Sequence, residues 1–325
     1  VIRILDKEYV DDVDSDALFE KTIADMLHQL DPHSNYISAK DLERVNEGIQ
    51  GKFGGVGVRF FVIRDTVCIT NVLPNSPSEL AGLKAGDKIV KVDDELIASA
   101  NITNDEVMGM LKGNAGNPVN LLISRQGKKL KKTVIRGSIP VESVIASYMI
   151  KKRTGYIKID RFSVTTSQEF RAAAFDLRTQ GMKSLILDLR NNGGGVLSCA
   201  TDIADEFFGA NIPLLKTKGK NVGEETYTST SQGSLKDVKL ALLINSNSAS
   251  ASEILAGAIQ DNDRGTIFGR RSFGKGLVQK DVNLRDGSNL RVTIARYYTP
   301  SGRCIQKPYN GNIDDYYEDQ MDRYD

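Results

Sequence analysis

The sequence predicts a multidomain α/β protein, and three observations predict it. At 325 residues the chain exceeds a typical domain of roughly 100–200 residues. From about Ser138 onward, short apolar runs alternate with segments of helical periodicity, as strands and helices do when they follow one another. Between Gly51 and about Gly137 the chain instead carries short β-type runs broken by Gly, Pro and Asn, which marks a smaller separate module. Three regions follow, 1–50, 51–137 and 138–325.

In the first region Leu18, Ile23, Met26, Leu27 and Leu30 recur at helical spacing, and Asp31-Pro32 ends the pattern. This is an N-terminal helical segment, with His33 in the turn that closes it. The second region holds strand-like runs over 57–62 and 67–73. Ser76-Pro77 then opens a short helix, Ala81-Gly82-Leu83 a glycine-stopped turn, and Gly86-Asp87 a strand over 88–92, with a further helix over 104–112. That order reads as a PDZ domain, in which a peptide adds as an edge strand and amides of a glycine-rich loop hold its terminal carboxylate. Gly54-Gly55-Val56-Gly57 is the matching loop, and it lacks the spacing of a dinucleotide fingerprint.

The third region reads as a strand over 155–161, a helix opened by Thr166-Ser167-Gln168-Glu169 as a capping box, a strand over 184–189 and a helix over 197–208. A strand over 238–244 and a helix over 250–260 repeat the unit. Asp286-Gly287 signals a hairpin between 282–284 and 290–294.

Forty-three basic against forty-two acidic residues leave a net charge of +1, so nothing in the balance favours nucleic acid or an anionic membrane. Cys68, Cys199 and Cys304 are scattered and odd in number, and signal neither a disulfide framework nor a zinc site. No run of about 18 apolar residues or signal-peptide pattern is present. The start in mid-pattern at Val1 and the stop in the acidic stretch after Asp314 suggest an excised piece, with a truncated C-terminal end and any export leader outside it.

The only histidines, His28 and His33, lie in the N-terminal segment and read as surface, packing or turn residues outside the chemistry. A serine nucleophile would therefore need another base, and lysine is the alternative. Ser250 falls where a strand gives way to a helix, a position that exposes a hydroxyl beside electropositive helix-start amides. The Ala251 N–H is a natural oxyanion donor there. Ser248 and Ser252 are read as possible helix caps. The glycine loop Asp188-Leu189-Arg190-Asn191-Asn192-Gly193-Gly194-Gly195 also follows a strand and precedes a helix, so its backbone can approach a ligand closely. Gly193 and Gly194 are its expected oxyanion donors.

These segments resemble the carboxy-terminal processing, or tail-specific, proteases. The likeness rests on Ser-Ala-Ser-Ala-Ser-Glu at 248–253, Phe-Gly-Lys-Gly-x-Val-Gln at 273–279, Leu-Asp-Pro-His-Ser-Asn-Tyr at 30–36, the PDZ pattern and the glycine loop. It spans roughly 30–306 and implies a crotonase- or Clp-like protease core with an inserted PDZ domain. It implies Ser250 as nucleophile, Lys275 as general base and Gln279 as the residue that orients the lysine. A lysine base must be neutral, and burial near Phe273, Leu277 and Val278 could lower its pKa. Gln279 lies four residues on, roughly 13 Å along a straight strand, so the flanking glycines must bend the chain for the two to touch.

The resemblance further implies an endopeptidase acting on polypeptides whose free carboxy terminus docks at Gly54–Gly57, without cofactor or metal. It implies a bacterial envelope setting, most simply the periplasm, with plastid relatives. The N-terminal helices would serve as a homo-oligomer surface or as a cap on the core. Two other readings stand beside it: a non-catalytic PDZ scaffold or periplasmic chaperone, which the intact Ser/Lys/Gln set opposes, and a small-molecule amidase or esterase, which the docking module opposes.

Overall fold

The computed structural model describes residues 1–98 and 100–321. They group into two compact units, Gly51–Val141 and a larger one that joins Val1–Gln50 to the chain from Glu142 onward.

In the smaller unit, strands Val58–Val62, Val67–Val72, Lys88–Val92, Pro118–Arg125 and Lys128–Ile135 form an antiparallel sheet in that order. Period-two burial explains the sheet: Val119, Leu121 and Ile123 point inward while Asn120 faces solvent. Helix Asn104–Leu111 starts at a capping box in which Thr103 and Glu106 exchange hydrogen bonds, and it buries Val107 and Leu111.

Strand Gly137–Pro140 pairs with Lys52–Gly55, so this unit runs on to Val141. The pairing alters the expected carboxylate loop. Gly54 and Gly55 are strand residues opposite Ser138 and Gly137, and only Val56 and Gly57 form the bend before the next strand. A Cβ on Gly54 would stand 2.2 Å from the Gly113 carbonyl oxygen, so close backbone approach requires that glycine.

The core sheet of the larger unit runs Val144–Lys151, Thr154–Ile159, Ser184–Asp188, Lys239–Ile244, Thr266–Gly269. Its first pair is antiparallel and the rest parallel. Leu185, Leu187, Leu240 and Leu242 are buried together on one face of this sheet, while Ile186 and Ala241 on the other face are half-buried. Helices Thr166–Thr179, Leu197–Asp205 and Ala251–Asp261 connect the parallel strands. The first of these lacks the expected capping box. It starts after Thr165, and Glu169 Oε2 instead accepts from the amides of Ser143 (2.7 Å) and Val144 (2.9 Å). Two tertiary donors outcompete one local amide and pin the edge strand.

In a second sheet Asn289–Tyr298 pairs along one edge with Leu277–Asn283 and along the other with Asn35–Ile37 at 289–291 and Pro213–Gly219 at 296–298, and Gly223–Thr228 pairs with Pro213–Gly219. The hairpin at Asp286-Gly287 forms as expected, closed by Leu284 and Ser288. The hairpin Pro213–Gly219 with Gly223–Thr228 was not anticipated from the sequence; its first strand packs on helices Leu197–Asp205 and Ala251–Asp261. Residues 1–50 contain helices Ile2–Glu8, Ser15–His28 and Ala39–Gln50. Strand Asn35–Ile37 pairs with residues Asn289–Arg291, which carries the 31–34 turn into the second sheet. Among the described residues no helix is long and apolar enough to cross a membrane, and no group of His, Cys, Asp and Glu is arranged to hold a metal.

Candidate active site

Strand Lys239–Ile244 ends in a loop stitched to the glycine loop. Asn245 Oδ1 accepts from the Asn191 amide, Ser248 Oγ donates to the Leu189 carbonyl (2.8 Å), and Ser252 Oγ donates to the Asn192 carbonyl (2.9 Å). The two serines expected as possible helix caps thus bind the two loops together. Between them Ser250 adopts φ 55°, ψ −113°, a conformation that costs an L-residue of order 1–3 kcal/mol and recurs where a nucleophile is thrust out of a sharp strand-to-helix turn. Its hydroxyl lies 2.9 Å from Tyr297 Oη. Burial first, and then the charge of Glu253, push the Tyr297 phenol up to about 12, so it stays protonated.

Glu253 joins Ser250 to Lys275. Its side chain is buried, and four donors converge on it: the Ser250 amide (2.8 Å) and Lys275 amide (2.8 Å) on Oε2, the Gly274 amide (2.6 Å) and Ser272 hydroxyl (2.7 Å) on Oε1. Burial raises its pKa despite these bonds. Sequence reasoning did not assign this residue a role, although its position three beyond Ser250 is capping-box spacing. Lys275 has a lowered pKa, chiefly because it is buried and secondarily because Arg291 is cationic, with Asp31 and Glu253 opposing. These shifts are what a neutral lysine base requires.

Among the described residues neither expected side-chain pair, Ser250 with Lys275 or Lys275 with Gln279, is hydrogen-bonded. Ser250 and Lys275 share Glu253 Oε2 through their amides, while the Ser250 hydroxyl bonds to Tyr297. Gln279 lies in strand Leu277–Asn283, and its Nε2 donates to the His33 carbonyl at 2.7 Å. His33 was expected to lie outside the chemistry; instead its carbonyl holds Gln279. Burial, followed by the charge of Lys275, drives the His33 imidazole down to about 4.

In the glycine loop, Asp188 is fully buried and accepts from Arg190 and from Tyr156 Oη (2.7 Å). Burial alone would raise Asp188; the Arg190 hydrogen bonds outweigh it and hold the carboxylate below its usual range. Gly194, at φ 96°, sits so close to the nucleophile turn that a Cβ there would lie 2.7 Å from Ser250 Cβ. Its N–H donates to Asn192 Oδ1 at 2.9 Å, so of the two expected glycine donors Gly194 is already engaged. Gly193 is exposed, and neither its amide nor that of Ala251 is engaged by another described residue.

In the smaller unit a cavity of about 670 Å³ lies between strand Val58–Val62 and helix Asn104–Leu111, with Val56, Gly57, Phe60, Met108 and Leu111 in its wall. Gly55 also lines it; Gly54 does not.

Residues 153–316 match peptidase family S41, and residues 54–135 match the PDZ domain. A carboxy-terminal-processing protease of Bartonella bacilliformis is 36% identical over 306 residues, covering 92% of this chain and 69% of the relative. A CtpA-like serine protease of Staphylococcus aureus is 34% identical over 307 residues; the match covers 94% of this chain but only 61% of that relative. Among solved structures, the photosystem II D1 C-terminal processing protease is 29% identical, with 94% of this chain and 83% of that one covered and a TM-score of 0.52. An S41 protease of Bacteroides fragilis shares the fold at 19% identity, with 91% and 80% covered and a TM-score of 0.53.

Proposed function

The chain belongs to peptidase family S41, and on that premise we propose that it is a serine endopeptidase cutting polypeptides near their carboxy termini, with Ser250 as nucleophile and Lys275 as base. The observation that carries this reading is Glu253, whose Oε2 accepts from both the Ser250 and the Lys275 amide and so ties nucleophile and base into one buried assembly.

Neutral Tyr297 donates to Ser250 Oγ and leaves the serine proton free to pass to unprotonated Lys275. Oγ then attacks the scissile carbonyl. The resulting oxyanion is received by the amides of Ala251 and Gly193. Protonated Lys275 hands its proton to the departing amine, and water, activated by the same lysine, releases the acyl group. Gln279 Oε1 accepts from Lys275 and orients it without adding charge.

Substrate selection falls to the smaller unit. The terminal carboxylate binds at the Val56 and Gly57 amides, and the preceding residues lie as an added strand along Val58–Val62. The same reading gives the enzyme a crotonase- or Clp-like core, makes the N-terminal helices a self-association surface or a cap on that core, and puts it in the bacterial periplasm.

Degradation of an unfolded protein with a free apolar terminus tests this, using Ser250→Ala and Lys275→Ala as controls. Cutting lost in both, with peptide binding retained, supports the proposal. Binding without cutting by the parent chain sinks it in favour of a scaffold, and equal cutting of an amidated terminus removes the carboxylate docking.

A further inference from the structure

We propose that the turn Asp31-Pro32-His33-Ser34, latched by Tyr316, is the positioning element that decides which end of the Gln279 amide faces Lys275. The inference rests on the dyad reading above and gives a role to a motif that reading leaves unused.

A carbonyl oxygen can only accept a hydrogen bond, so the His33 carbonyl 2.7 Å away must face the Nε2 end of Gln279. The amide is thereby fixed with Oε1 as its remaining acceptor, the end that can accept a hydrogen bond from the lysine nitrogen. A freely rotating amide would present its N–H groups to the lysine part of the time and compete with Ser250 as donor.

The turn is held by its own chemistry. Asp31 Oδ1 accepts from the His33 and Ser34 amides, both at 2.8 Å, and Oδ2 from the Ser34 hydroxyl at 2.6 Å. Ser34 Oγ then accepts from the Thr293 amide at 3.1 Å. Thr293 lies directly opposite Gln279 in the sheet, so the turn is fastened to the residue beside the one it holds.

Tyr316 comes from helix Ile313–Met321 and is buried. Its hydroxyl accepts from Gln306 Nε2 at 2.9 Å, which leaves its own proton for His33 Nε2 at 3.0 Å. Gln306 Oε1 in turn accepts from the Gly276 amide at 2.9 Å, next to Lys275. A chain of bonds therefore runs from Gln279 through His33, Tyr316 and Gln306 to Gly276, the residue next to Lys275. Lys307 secures Tyr316 by donating to its carbonyl and lying 4.0 Å from its ring centre.

The test is a double-mutant cycle of Tyr316→Phe and Gln279→Ala on an unfolded substrate, with melting curves for each variant. Tyr316→Phe is expected to lower kcat about five- to tenfold, the effect of one hydrogen bond, with KM and melting temperature nearly unchanged. In the Gln279→Ala background it should cause no further loss. His33→Phe, which keeps a ring against Phe273 at the 6.0 Å spacing seen here, should reproduce the Tyr316→Phe result. Additive losses, or unchanged kcat in Tyr316→Phe, would overturn the proposal and leave the turn a packing element. The side-chain amide resonances of Gln279, identified by their loss in Gln279→Ala, read the same coupling even if the chain does not cut. A shift toward free-amide values in Tyr316→Phe supports the latch; no shift refutes it.

Discussion

Replacing Gly194 by alanine tests the geometry on which the proposed chemistry rests. The new Cβ would meet Ala249 O at 2.6 Å, Ser250 Cβ at 2.7 Å and Ala251 N at 2.9 Å. Ordinary contact begins at 3.4 Å, so these gaps must open by 0.8, 0.7 and 0.5 Å. Each of these atoms belongs to the backbone or Cβ of the Ser250 turn, and no flexible side chain can yield. The φ of 96° adds strain of about 1–3 kcal/mol, and overpacking about 1–3 kcal/mol more. A loss of about 2–6 kcal/mol should lower the melting temperature by roughly 10 °C. A shift of Ser250 and the Ala251 amide approaching 1 Å should lower kcat/KM about 10²-fold. Gly193→Ala is the control, because nothing lies within 4 Å of its Cβ and its N–H is kept. Activity of Gly194→Ala within threefold of the parent, or equal damage from Gly193→Ala, would refute the reasoning.

Three further outcomes follow from the same contacts. As the proposed base, Lys275 must be neutral to act, so kcat/KM should rise with pH along a limb centred below the ordinary 10.5, and Arg291→Met, which removes a nearby positive charge, should move that limb to higher pH. Because the folded state holds the Lys275 proton less tightly than the unfolded state, stability should rise with pH between the two pKa values; Lys275→Met, lacking the buried charge, should melt higher than the parent at neutral pH. Glu253→Gln turns an NH₂ toward two of four donors, which should cost about 1–3 kcal/mol for each donor left unpaired and reduce cutting more than 10²-fold; a parent-like melting curve and rate would remove its bridging role. Met108 is 41% exposed in the wall of the cavity proposed to take the peptide, so Met108→Glu should weaken binding of an apolar-ended peptide at least tenfold in calorimetry while hydrolysis of a short ester stays unchanged.

Where local spacing is itself the physical determinant, the sequence was sufficient. Helical spacing placed a helix over 250–260, found at Ala251–Asp261, the Gly86-Asp87 turn placed the strand Lys88–Val92, and Asp-Gly placed the hairpin at 286–287, because each depends on residues within a turn or two of one another. The identities of Ser250, Lys275 and Gln279 came from motif likeness, and the chain carries no periodic signal that would single them out. Tertiary structure decided what those side chains touch. Tyr297 reaches Ser250 from 47 residues away and the His33 carbonyl reaches Gln279 from 246, and no local pattern encodes a contact made only when two strands pair. It also turned Glu169 Oε2 to the amides of Ser143 and Val144 while Oε1 stays with the Thr165 hydroxyl at its own helix end, and drew Gly54 and Gly55 into a strand. A polar group is satisfied by whichever donors burial brings nearest, and strand pairing and burial exist only in the folded chain.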